Sequence, residues 1–158
     1  MKDEVEIRKA FNDDMPAIWK LIRELAIYEK AEEEHSCSVD QLTNDFINER
    51  FQCTVATSYG TIVGMALYYY SYSTWKGKCV YLEDLIISKQ YRNKGIGSAL
   101  LENLIDIAKI NYCHRLSWQV LDWNQPAIQF YNKWKAELDS EWINCKMRFN
   151  YEEINEGI

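Results

Sequence analysis

One stretch constrains the chain more than any other: Tyr81-Leu82-Glu83-Asp84-Leu85-Ile86-Ile87, then Ser88 to Lys94, then Gly95-Ile96-Gly97-Ser98-Ala99-Leu100. An apolar run, a polar turn carrying Arg92, two glycines one residue apart and a helical pattern read as strand, loop and helix N-terminus. Glycines let the backbone come close to a ligand, and the first-turn N–H groups of the helix then point at whatever anion sits there. Two familiar phosphate motifs fail on this stretch. A P-loop needs G-x-x-x-x-G-K-[ST], and a dinucleotide fingerprint needs a third Gly or Ala where Leu100 stands. The cradle is therefore of another kind.

The rest of the chain supplies its frame. Val5, Ile7 and Ala10 alternate with charged residues as a short strand does, and Asn12-Asp13-Asp14 offers an N-cap ahead of Pro16. Met15, Ile18, Trp19, Ile22, Leu25 and Ala26 then repeat at helical spacing and run into an acidic cluster, Glu29 to Glu34. A second helix is expected from Ser38 to near Glu49. Three strands follow, Gln52 to Thr57, Ile62 to Ser71 and Lys78 to Ser88, with turns at Ser58-Tyr59-Gly60 and Trp75-Lys76-Gly77. The Tyr68-Tyr69-Tyr70 triplet reads as a central strand covered on both faces. A third helix runs from about Gly95 to Ile110, a strand from Leu116 to Leu121, a fourth helix from Pro126 to about Trp134, and a closing strand from Trp142 to Phe149.

This order predicts an α+β, or mixed α/β, layer fold: one twisted mixed sheet flanked by about four helices, with a central β-α-β crossover that makes strands Lys78–Ser88 and Leu116–Leu121 parallel. At 158 residues and 47% apolar, one domain over 1–158 is expected. A net charge of −6 speaks against a nucleic-acid partner and suits a cationic small molecule. Five cysteines, none in a C-x-x-C pair, and two histidines predict no metal site and a reducing, cytoplasmic compartment. No apolar run is long enough for a signal peptide or a membrane span, so the chain is expected to be complete and soluble, with no membrane partner.

Arg92-x-x-Gly95-x-Gly97 resembles the pyrophosphate-binding signature of the Gcn5-related N-acetyltransferases, and the element order matches that family from end to end. Asp122-Trp123-Asn124-Gln125-Pro126-Ala127-Ile128-Gln129-Phe130-Tyr131 resembles the family's W-N-x-P-A-x-x-F-Y segment. The resemblance implies acetyl-CoA, or coenzyme A, held by Leu85, Ile86, Ile87, Arg92, Asn93, Lys94, Gly95, Ile96, Gly97, Ser98, Asn124 and Tyr131, with a strand bulge that frees amides for the thioester carbonyl and pantetheine arm. The family's Gly four residues after this tyrosine is replaced by Lys135, so the helix must end differently.

Together with Tyr72-Ser73-Thr74-Trp75-Lys76-Gly77 and Tyr81-Leu82-Glu83-Asp84, these segments resemble the diamine acetyltransferases, nearest their thialysine branch; the polyamine enzymes carry Asp where this chain has Ser73. The resemblance implies a homodimer and direct acetyl transfer to a small cationic amine. Glu29, Ser73, Trp75, Glu83 and Asp84 are the candidate substrate-binding residues. A peptide or protein acetyltransferase, or a coenzyme A-binding module without turnover, is the alternative.

The chemistry requires a base, because an alkylammonium with a pKa of about 10 is roughly one part in a thousand neutral at pH 7. Glu83 is expected to take the proton through one or two waters, its pKa raised by burial and by Asp84; the alternative reading is that two acidic side chains on alternating faces of a strand serve structure or solubility. Tyr131 is the expected proton donor to the departing thiolate; its alternative reading is a core aromatic of the fourth helix. Cys79 and the other thiols are read as small buried residues.

Overall fold

The computed structural model describes residues 4–151. The first three and last seven residues, which the one-domain expectation includes, lie outside them. The described chain forms two compact units, which meet in sequence at Leu121 and Asp122.

The first unit is built on a five-stranded sheet in the order β1-β2-β3-β4-β5, with β1 Val5–Lys9, β2 Gln52–Ser58, β3 Thr61–Ser73, β4 Gly77–Ile87 and β5 Leu116–Ser117. The first four strands run antiparallel, and β4 pairs with β5 in parallel, as the crossover rule requires. The β2–β3 hairpin turns on Tyr59 and Gly60, both at positive φ, as a two-residue type I′ loop demands.

Helices α1 (Met15–Tyr28) and α2 (Val39–Ile47) cover one face. Met15, Ile18, Leu21 and Leu42 pack there with Val55, Met65, Leu67 and Ile86. Helix α3 (Ile96–Ile110) covers the other face through Ile96, Leu100, Leu101 and Leu104. Gly64 permits that approach: a Cβ there would lie 2.7 Å from Ile87 Cδ1 and 3.4 Å from Leu100 Cδ1.

Two caps differ in kind. Ser38 Oγ accepts from Gln41 N at 3.1 Å and starts α2 as expected. Asp14 does not cap α1; its carboxylate pairs with Arg8 at 2.7 Å and accepts from Phe11 N, closing the 3₁₀ turn Asn12–Asp14 before the helix. The tyrosine triplet also departs from expectation. Tyr68 is buried, but Tyr69 and Tyr70 are exposed, because β3 continues past the residues that the helices cover.

The second unit holds α4 (Gln125–Lys133) and a segment without regular structure through the last described residue. The expected closing strand at Trp142–Phe149 is absent: alternation supplies the side-chain pattern, but a strand exists only through ladder pairing, and the sheet order ends at β5. The expected strand Leu116–Leu121 shrinks to two residues for a related reason. It pairs only with Val80 and Tyr81, and β4 is bent just beyond them by a bulge.

Helix α4 ends without glycine. Lys135 takes φ 57°, its N–H donates to Asn132 O at 3.0 Å, and Ala136 N donates to Tyr131 O at 3.4 Å. That pair of bonds is a Schellman ending with a lysine in the left-handed position.

Candidate active site

The bulge decides the geometry of the site. Leu67 lies opposite Asp84 and Tyr68 opposite Leu82, so Glu83 is the extra residue on β4. Residues directly opposite in an antiparallel pair share a face. Leu67 belongs to the core under α1, so Asp84 faces that side; Tyr69, two residues on, faces it too, and so does its partner Tyr81. Tyr81 and Asp84 share a face three residues apart only because one residue is bulged. Glu83 also turns to this side, where its charge acts on both Tyr69 and Tyr81. The two carboxylates therefore do not point to alternating faces.

Their environments differ. Glu83 is exposed, so the burial expected for it falls on Asp84. Desolvation, then the charges of Glu83 and Glu29, push the Asp84 carboxyl up to about 7. Glu29, at the end of α1, has its own carboxyl raised by burial. Glu29 thus joins the pair. Glu32, by contrast, turns to Arg23 at 2.6 Å.

The phosphate cradle follows β4 directly. Ser88 N donates to Val63 O at 2.8 Å, the 3₁₀ turn Lys89–Tyr91 follows, and Arg92 Nε donates to Ile87 O at 3.0 Å. That bond sets the Arg92 guanidinium over the Tyr28 ring, 5.2 Å from its centroid, and Lys94 Nζ lies 5.2 Å from the Tyr91 ring. Asn93 and Gly95 take φ 60° and 83°, so the loop makes two left-handed steps before α3. Gly95 is the helix N-cap, and the first backbone bond after it runs from Ala99 N to Gly95 O at 3.0 Å. The N–H groups of Ile96, Gly97 and Ser98 precede the helical ladder, and apart from the adjoining chain no atom lies within 4 Å of where a Gly95 Cβ would stand. A pyrophosphate fits this combination of open backbone, helix N-terminus and two cations.

Leu85, Ile86 and Ile87 continue β4 beyond the last pair with β5 at Tyr81, so this edge of the strand meets no other strand among the described residues. Such an edge can receive an extended amide-bearing chain.

Ser73 and Trp75 are not brought to the carboxylates. Ser73 pairs with Gly77 at the β3–β4 turn, six residues along β3 from Leu67, or about 20 Å at strand rise. Ser73 Oγ accepts from Trp75 N and Lys76 N at 3.3 and 3.2 Å, which gives it a turn-closing role, and Trp75 is 86% exposed.

In the second unit, Asn124 Oδ1 accepts from Ala127 N at 3.4 Å and caps α4. Tyr131 is buried, its ring edge-on to Phe130 with centroids 5.2 Å apart. Among the thiols, Cys79 is fully buried with Sγ donating to Gly77 O at 3.4 Å, and burial pushes the Cys53 thiol up. Burial disfavours the Cys53 thiolate, while Cys145 is exposed and Cys37 and Cys113 are half-buried, so the reading as small buried residues holds for Cys53 and Cys79 alone.

Sequence reasoning missed Tyr69 and Tyr81, whose rings meet at 5.3 Å beside Glu83, and Tyr28 beneath Arg92. The triplet at 68–70 carried a signal for the first of these, since its middle residue must face away from its neighbours.

Residues 7–135 match the acetyltransferase (GNAT) family model. A thialysine N-epsilon-acetyltransferase of Bos taurus is 37% identical over 164 residues, which cover 96% of each chain. A human spermidine/spermine N(1)-acetyltransferase-like protein 1 is 35% identical over 96% of this chain and 23% of its own length. Among solved structures, an aminoglycoside acetyltransferase from an uncultured soil metagenomic sample superposes with a TM-score of 0.78 over 92% of this chain and 97% of that one, at 18% identity, a likeness of fold. With the cradle after β4, the five-stranded mixed sheet and the matched span agreeing, this chain belongs to the acetyltransferase (GNAT) family.

Proposed function

We propose that the chain acetylates a primary amine of a small cationic molecule, of the thialysine or diamine kind named in its relatives, with Asp84 as the proton acceptor. The observation that carries this reading is the Glu83–Asp84 pair on one face, with Asp84 held at about 7. A base titrating near neutrality combines a useful fraction of the ionised form with enough basicity to accept a proton. Asp84 takes over the role first expected of Glu83. The exposed Glu83 and the nearby Glu29 attract the incoming ammonium, and Asp84 removes its proton.

Acetyl-CoA, the acetyl donor of the family, supplies its acetyl group as a thioester. Arg92, Asn93, Lys94, Gly95, Ile96, Gly97 and Ser98 would hold its pyrophosphate, and the β4 edge at Leu85, Ile86 and Ile87 its pantetheine arm. Asn124 and Tyr131 complete the proposed set, the Tyr131 hydroxyl holding the proton that a departing thiolate needs. Charge development on the carbonyl oxygen calls for a backbone donor at the bulge, where ladder pairing is interrupted.

The same proposal includes one acetyltransferase domain over 1–158, a homodimer and a cytoplasmic place of action. Support for the last is the five scattered free cysteines. No helix among the described residues is long and apolar enough to cross a membrane. The test is acetyl-CoA consumption with spermine, spermidine, putrescine, thialysine, lysine and a histone-tail peptide. Turnover confined to the peptide, or absent with all six, contradicts the small-amine reading.

A further inference from the structure

We infer that the Tyr69 and Tyr81 rings form a second subsite, which takes the distal ammonium of a substrate whose reacting amine lies at Asp84. The inference rests on the proposed amine acetylation and adds to it a requirement for a second positive charge at a set distance. Tyr69 and Tyr81 lie directly opposite each other on β3 and β4, with centroids 5.3 Å apart and planes 33° apart. They share the face of Glu83 and Asp84, and Tyr69 keeps 37% of its surface exposed where the helical cover of β3 has ended. Two aromatic faces beside a carboxylate are a recognised environment for an alkylammonium: the ring quadrupole attracts the charge, and the ring surface accepts the methylenes.

The spacing supplies the selectivity. From Leu67, opposite Asp84, to Tyr69 is two residues of strand, about 7 Å, which matches the reach of an extended diamine with about four or five atoms between its nitrogens. Glu83 stands between the two positions in sequence. Burial first, and then the Glu83 charge, raises both phenols, so they stay neutral through the working range and present uncharged rings. A cross-strand tyrosine pair also stabilises a sheet, and that role predicts equal effects on every substrate.

The experiment compares α,ω-diamines of increasing length with monoamines of matched length in the parent, Tyr69→Leu, Tyr81→Leu and Tyr69→Phe, each checked by its melting temperature. For the leucine variants the expected result is a diamine KM raised roughly three- to tenfold, with kcat within about twofold and monoamine KM unchanged. Tyr69→Phe, which keeps the ring, should retain the diamine preference. Diamine and monoamine KM rising together, or neither changing, overturns the subsite while leaving amine acetylation intact. A parent enzyme that acetylates no amine of either series overturns the proposed function, and the subsite with it. If the leucine variants fail to fold, Tyr69→Phe and Tyr81→Phe decide through the parent-like chain-length optimum that ring recognition requires; loss of that optimum in folded phenylalanine variants overturns it.

Discussion

Glu83 and Asp84 are adjacent in the chain, yet both face the α1 side of the sheet, because the register of β3 against β4 slips by one residue between Leu67 and Tyr68. A regular strand would send one of them to the α3 side, into the core around Leu82, Leu100 and Leu101. The bulge gathers two carboxylates and interrupts the ladder at the same point. In the proposed reaction, proton acceptance and oxyanion stabilisation would both rest on this one backbone irregularity.

The raised Asp84 carboxyl has a consequence for stability. Its ordinary value of 3.8 applies to the unfolded chain, and about 7 to the folded one, so between these limits the folded state binds more protons. Stability then falls as pH rises through that window. Asp84→Asn removes the charge, so its stabilising effect should grow from about pH 4 to about pH 7 and level off above, reaching roughly 1 to 3 kcal/mol after allowance for partial exposure. Urea unfolding of parent and variant across this range measures it. A difference independent of pH contradicts the assignment.

Tyr131→Phe keeps the ring against Phe130 and deletes the hydroxyl. Turnover should fall by roughly two orders of magnitude in a variant that still unfolds cooperatively, as its melting curve checks. Turnover within about twofold of the parent would make Tyr131 a packing residue of α4.

Lys135 occupies a left-handed position that glycine enters without steric cost. Lys135→Gly should therefore stabilise the protein by about 1 kcal/mol, the gain in native strain exceeding the added flexibility of the unfolded chain. The readout is the urea midpoint at constant m-value, and a lower midpoint contradicts the strained cap.

Gly97 lies in the first turn of α3, where a glutamate is compatible with the helix but opposes a bound anion. Gly97→Glu should fold normally and bind coenzyme A at least about tenfold more weakly, or about 1.4 kcal/mol. Unchanged affinity by calorimetry would move the pyrophosphate away from this helix.

The sequence made the cradle readable because its signals are local. Gly95 caps α3 and Asn124 caps α4 through contacts within a few residues, and the strands of the main sheet, the turns and the Ser38 start of α2 follow the same local rules. Resemblance implied a bulge in this strand and the register carries one at Glu83, but the residues themselves did not show where it falls, since register belongs to two strands at once, and with that went the ranking of Glu83 above Asp84 and the view that they point apart. Ser73 and Trp75 were grouped with the carboxylates by resemblance, whereas the hairpin carries them to the far end of β4. The Trp142–Phe149 alternation lacked the one thing that a pattern cannot encode, a neighbouring strand to pair with.

Asp84, gathered with Glu83 by the bulge, is the group that titrates near neutrality. Carboxyl ¹³C NMR of aspartate-labelled protein follows it directly, with Asp84→Asn identifying its resonance. The expected midpoint for Asp84 is about 7, moving down when Glu83 is replaced by Gln. A midpoint near the ordinary 3.8, or one indifferent to Glu83, would contradict it.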